Sequence, residues 1–257
     1  MPKTLYPNAL YALLQVRSLA VTETSGHTIL PTGPHLRHRG GLRLAALGLA
    51  AEHGTSTFAL SGVSAVPIAI AVSQRAIPAK LAELEVLTTL RHKGRSIMVT
   101  SMEAYRPGDR SERLAFGTLT WSILPPSANG GTPAIGQVAP EGDLLDVTGI
   151  RAEGAVTSIQ TADPGLLGPG GVLHAGALQA LAEEAALAAV RHQAPGEAPP
   201  VLTDATFHFI RAARAAPFIT QVRAQPGGDV EVSIYDDGGA GRLCVLCTCT
   251  VSTGAQR

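Results

Sequence analysis

The sequence is short of charge. Its 257 residues carry 20 Lys and Arg against 20 Asp and Glu, a formal net charge of zero, and charged residues make up only 16% of the chain. A polyanion partner selects for a basic excess, so no nucleic-acid binding is expected. Aromatic residues, at 4%, are too sparse for a platform that stacks single-stranded bases. Long apolar runs are missing too. The stretch Val63–Val72 is broken by Pro67 and falls short of the ~20 residues that span a bilayer. The start, Met1 to Pro7, has one basic residue and no apolar segment before a small-residue cleavage site, so no signal peptide is expected. Cysteine occurs only as Cys244, Cys247 and Cys249, all within one apolar, β-branched run, which offers no disulfide framework. Period-two alternation puts Cys247 and Cys249 on one face and Cys244 on the other. Together these absences predict a soluble, cytoplasmic protein that makes no use of a membrane.

Hydrophobic residues, at 45%, exclude a disordered chain. The length suits one large domain or two of roughly 100–150 residues. An internal repeat favours two. In the first half, Arg39-Gly-Gly leads into a helix over 42–52. Strands follow at 55–60, 66–76, 83–92, 96–105 and 114–124, with turns at Lys93-Gly94 and Arg106 to Asp109. In the second half, Gly168 to Gly171 leads into a helix over 175–192. Strands follow at 201–211, 218–224, 230–235 and 243–251. Arg39-Gly-Gly aligns with His174-Ala-Gly, Val66 with Val201, Tyr105 with Tyr235, and Arg113 with Arg242. The Pro/Gly-rich segment 127–143 reads as the linker between units 1–126 and 144–257. Each unit is then one long helix followed by consecutive strands joined by short turns. Such strands are antiparallel, which gives an α+β, helix-on-sheet architecture.

The run from Gly168 through His174-Ala-Gly176 to Glu183 resembles hotdog-fold acyl-CoA thioesterases of the 4-hydroxybenzoyl-CoA and phenylacetate-pathway (PaaI-like) type. Their motif is a turn, His-Gly-Gly opening the helix, and Asp or Glu nine residues after the His. Phe207 to Arg211, and Leu87 to Ser96 in the first half, resemble strands of the same family. The resemblance implies two tandem hotdog units that pair within the chain. It implies an enzyme that hydrolyses a small-to-medium acyl-CoA to acid and CoA without a cofactor, CoA being part of the substrate. A further pairing of two such chains into a homodimer is compatible with it.

What the resemblance implies about the site follows residue by residue. Ala175 and Gly176, at the helix N-terminus, supply N–H groups for the thioester oxyanion, Ala175 standing where relatives have Gly. Glu183 is the base or nucleophile, and His174 orients the turn or the thioester. Helical phase alone does not separate Glu183 from Glu184. In the first half, nine residues after Arg39 is Gly48, and nine after His38 is Leu47, so that unit reads as a degenerate copy. Ser64 and Glu52 fall near positions where relatives place polar groups of the partner unit. The hairpin Arg91, His92, Lys93, Arg95 is the candidate cradle for the CoA phosphates. His35 and His38 have short metal spacing but no third ligand nearby in sequence, so no metal is expected. A thioesterase II branch is the alternative, with Asp204 as the acid and Glu183 structural. A chain that binds acyl-CoA without hydrolysing it is a third reading.

Overall fold

A computed structural model describes residues 8–39, 41–59, 65–75, 77–125, 141–153, 156–168, 171–193, 199–225 and 227–253. The first unit opens with a short helix α1 (Ala9–Leu14), capped by the Asn8 side chain, which accepts the Tyr11 N–H. Strands β1 (Arg17–Val21) and β2 (Ser25–Pro31) follow. A small hairpin pairs Arg37–His38 with Gly41–Leu42 and delivers the chain into the long helix α2 (Leu44–Phe58). Then come β3 (Ala65–Gln74), β4 (Glu83–Lys93), β5 (Ile97–Tyr105) and β6 (Ala115–Ile123).

The second unit repeats this order. Helix α3 (Leu144–Thr148) is capped by Asp143, and β7 (Ile150–Glu153) and β8 (Val156–Ile159) follow it. A hairpin of Leu167–Gly168 with Val172–Leu173 leads into α4 (Ala175–Gln193). The unit closes with β9 (Val201–Phe209), β10 (Phe218–Ala224), β11 (Asp229–Asp236) and β12 (Arg242–Ser252).

All twelve strands form one antiparallel sheet in the order β1-β2-β4-β5-β6-β3-β9-β12-β11-β10-β8-β7. The order is a palindrome of the two units. They join where β3 pairs with β9, with Ile70 opposite Phe207. A bulge at Ile68 in β3 and another at Thr203 in β9 stand at matching places, which supports the alignment of Val66 with Val201.

Both helices are buried on nearly every side, α2 through Leu44, Leu47, Leu49 and Phe58, α4 through Leu178, Leu181 and Leu187. A helix apolar all round needs partners all round, and here the sheet and the other helix supply them. Small residues let the two helices approach. A methyl on Gly48 would come within 1.9 Å of the Gln179 Oε1, and one on Gly176 within 2.2 Å of the Leu49 side chain.

Two expectations are corrected. Residues 55–58 are not a strand but the last turn of α2: the Thr55 hydroxyl bonds that of Thr100, and Phe58 is buried. Tertiary contacts override the β-branched run. All three cysteines are buried, because β12 bulges at Cys244, between Leu243 opposite Tyr235 and Val245 opposite Ile234. Of the expected linker, residues 127–140 lie outside the described residues, and Asp143 caps the helix that begins at Leu144. The edge elements α1, β1, β2, α3, β7 and β8 carry no clear sequence period, and β1 is exposed at every position.

Candidate active site

The two central helices start and cross in matching ways. Helix α4 begins after His174, and α2 begins after Arg43, its N-cap residue. His174 and Arg43 are 131 residues apart (174 − 43), as are Gln179 and Gly48 (179 − 48) and Glu183 and Glu52 (183 − 52). The first unit therefore keeps an acid nine residues after the helix cap. Matching Arg39 to His174 misses it by four residues, because Arg39 lies in the hairpin turn, with φ of 46°, and not at the helix start. The expectation of a degenerate first-unit helix is corrected by this register.

A second correction concerns which groups meet. Glu183 lies eight residues into its own helix from Ala175, about 12 Å along the axis at ~1.5 Å per residue. It does not share a site with the Ala175 and Gly176 N–H groups. Instead it reaches the start of the other helix. Its Oε1 accepts the Leu44 N–H (3.1 Å) and its Oε2 the Ala45 N–H (2.9 Å). Burial raises its pKa, while Arg43 and the two backbone donors pull it back down. Beside it lies a buried ion pair, Arg43 Nη1 to Glu184 Oε2 at 3.1 Å, extended by Arg191 on the other Glu184 oxygen. The phase ambiguity is thereby settled in one respect: Glu184 is buried and paired, not solvated. His38 is drawn to this cluster, 3.4 Å from the Arg43 guanidinium, and burial lowers its pKa to about 4.

The opposite end of the helix pair is built differently. Glu52 is 3% exposed, and burial pushes its pKa up to about 8 against the pull of Gln179, whose Nε2 donates to Glu52 Oε1 at 2.8 Å. Around it stand neutral groups. Tyr11 of α1 packs edge-on against the His174 ring at 5.4 Å and the His53 ring at 5.5 Å. Burial and the Glu52 charge hold the Tyr11 phenol well above its ordinary pKa. Burial lowers His174 to about 4, so it is a neutral imidazole at working pH. Its Nδ1 accepts the Gly176 N–H at 3.1 Å, which places its proton on Nε2. Gly176 thus orients His174. Ala175, the first residue of α4, has an N–H with no helical carbonyl ahead of it.

The remaining expected residues are spread out. Ser64 lies outside the described residues. Asp204 is exposed on β9, while its neighbours Ala205 and Phe207 are buried; it points away from the helices, which removes the geometric basis for the alternative acid. Arg91, Lys93 and Arg95 are exposed at the β4–β5 turn. Arg91 Nε donates to the Ser101 hydroxyl at 2.7 Å, and Lys93 Nζ to the Ala59 carbonyl, at the C-terminal end of α2, at 3.4 Å. Sequence reasoning missed Tyr11 and Gln179. A lone polar residue in the otherwise apolar run Ala175–Ala182 was the available signal for the second.

Comparison with known proteins agrees with this architecture. The family model described as Thioesterase superfamily matches residues 170–224, from the hairpin turn through α4 to β10. The chain has the tandem hotdog fold. A conserved protein with a hot dog fold from Alicyclobacillus acidocaldarius has a TM-score of 0.64 at 14% identity, covering 97% of this chain and 99% of its own. The tesB protein of Mycobacterium avium subspecies paratuberculosis has a TM-score of 0.62 at 12% identity, over 94% and 96%. An acyl-ACP thioesterase from Bacteroides thetaiotaomicron has a TM-score of 0.55 at 10% identity, over 89% and 98%. At these identities the likeness to the solved structures is one of fold. No curated protein sequence matches this tandem hotdog. No helix among its described residues is long and apolar enough to cross a membrane.

Proposed function

We propose that this chain is a thioester hydrolase acting on small-to-medium acyl-CoA at one site, formed between the units where Glu52 faces the start of α4. One observation carries the choice of site. Both acids stand at the same place in their helices, but the Glu183 carboxylate is consumed by two backbone donors, whereas Glu52 is held by one side-chain amide.

In this reading the thioester carbonyl oxygen takes the Ala175 N–H and the His174 Nε2–H. These donors act in a water-poor site at the positive end of a helix, where charge develops on the oxygen. Ionised Glu52 accepts a proton from water as that water attacks the carbonyl carbon. The tetrahedral intermediate collapses, the carbon–sulfur bond breaks, and the proton passes from Glu52 to the departing CoA sulfur. Acyl-CoA and water give the acid and CoA. The exposed Arg91, Lys93 and Arg95 hairpin meets the CoA phosphates. Its Lys93 anchors on Ala59, seven residues beyond Glu52 and so about 10 Å along α2. The thioesterase superfamily match to 170–224, which spans the start of α4, supports thioester chemistry.

The test is thiol release from a panel of acyl-CoA esters by wild type, Glu52→Gln and Glu183→Gln. Loss of a general base lowers turnover about 100-fold or more. That loss is expected for Glu52→Gln, with Glu183→Gln within a few-fold of wild type at a temperature where it is folded. Full activity in Glu52→Gln overturns the assignment. Tight binding of the esters with no turnover in wild type assigns the chain to acyl-CoA binding instead.

A further inference from the structure

The two acids differ because the residues facing them differ. Gly48 and Gln179 occupy matching positions in α2 and α4, and each faces the other across the helix crossing. Gly48, at the position that matches Gln179, has no side chain to offer the Glu183 carboxylate, which turns to the Leu44 and Ala45 amides. Opposite Glu52 stands the fully buried Gln179, whose amide fills the space above Gly48 and donates to the carboxylate.

The Gln179 amide has one end in use. Its Nε2 bonds Glu52, while its Oε1 is buried with no hydrogen-bond partner. An unpaired buried oxygen is costly. An amide also carries donor and acceptor at equal reach from the chain, so a half-turn exchanges them. With Glu52 ionised, Nε2 donates to the carboxylate. With Glu52 protonated, Oε1 can accept the carboxyl O–H. The titratable groups on the elements packed there are Tyr11 of α1 and His174 at the start of α4; the His174 acceptor Nδ1 is already taken by the Gly176 N–H, and the Tyr11 ring packs edge-on against His174. His53, next to Glu52 on its own helix, is turned to the Tyr11 ring.

We infer that Gln179 is a positioning residue that holds the Glu52 carboxylate toward the start of α4 and turns its amide as that acid gains or loses its proton. Gly48 is its counterpart: the absence of a side chain there is what leaves room for the amide. The inference rests on Glu52 as the base, but it makes a claim about the acid that does not depend on turnover.

The experiment titrates the Glu52 side-chain carboxyl by NMR in full-length protein labelled with ¹³C-glutamate, with Glu52→Gln providing the assignment. Gln179→Met removes the donor. Gly48→Ala leaves Gln179 in the chain and displaces its amide, since the new methyl would meet Oε1 at 1.9 Å. In both variants the Glu52 midpoint is expected to rise above its wild-type position near 8. The alkaline-rising limb of the pH–rate profile is expected to move with it, and KM to change little. An unchanged midpoint in both variants overturns the inference. A midpoint that moves while the rate limb stays supports the inference and shows instead that Glu52 is not the base.

Discussion

The Glu183 carboxylate caps a helix that is not its own, accepting the Ala45 N–H at 2.9 Å across the boundary between the two units. A buried carboxylate on a helix N-terminus satisfies free amide donors and the helix dipole together. Glu183→Ala leaves the Leu44 and Ala45 donors buried without that partner. Roughly 1–3 kcal/mol per stranded group is expected to be lost. Thermal unfolding should therefore fall by several degrees, while activity per folded molecule persists.

As the proposed base, Glu52 is expected to set the pH dependence of turnover. Its pKa of about 8 leaves it mostly protonated at neutral pH. The rate should rise with pH and level off above about 8, where the base is ionised. A pH–rate profile that is flat between pH 6 and 9 (roughly two units below that value to one above it) is the outcome that contradicts this.

The same acid carries a stability signature of opposite sense. Its folded-state pKa is raised from 4.5 to about 8. Its contribution to stability is therefore fully present below 4.5 and is lost as pH climbs through 8. The slope is at most about 1.4 kcal/mol per pH unit in that window. Glu52→Gln cannot ionise and should match wild type near pH 4.5, then become the more stable protein as pH rises. Melting curves across the window check it.

Arg43 stands where α4 has His174, and it makes the buried pair with Glu184. Arg43→Met leaves Glu184 buried with Arg191 alone, and about 3 kcal/mol of stability is expected to go. Adding Glu184→Gln should restore part of it, since the stranded charge is then removed. A melting temperature unchanged by Arg43→Met contradicts the role.

The hairpin reading separates binding from chemistry. Changing Arg91, Lys93 and Arg95 together to Gln should raise KM for acyl-CoA several-fold with kcat held. Acyl-pantetheine esters, which lack the nucleotide phosphates, should be hydrolysed equally by both proteins. The difference should shrink with added salt, because exposed charges are screened.

Much of the fold was legible. Periodicity and turns located both long helices and all eight strands that follow them, since those segments are long and patterned. The short edge strands and the two small helices were not legible, because β1 is exposed throughout and Asp143, the cap of α3, was read as the end of the linker. Burial of Thr55 and Phe58 decided that 55–58 extends α2, which local propensity argued against.

The site divides in the same way. Sequence alone determined the tandem repeat, the start of α4 at His174, and the acid spacing that ends at Glu183. Those features are local, fixed by neighbours a few residues away. Only the tertiary structure decided which acid meets which helix end. The helices cross at Gly48 and Gln179, so each acid reaches the other helix, and Glu52 meets Gln179 while Glu183 is spent as a cap. The physical reason is distance: eight residues of helix separate Glu183 from Ala175 by about 12 Å, whereas packing brings side chains from opposite units into contact.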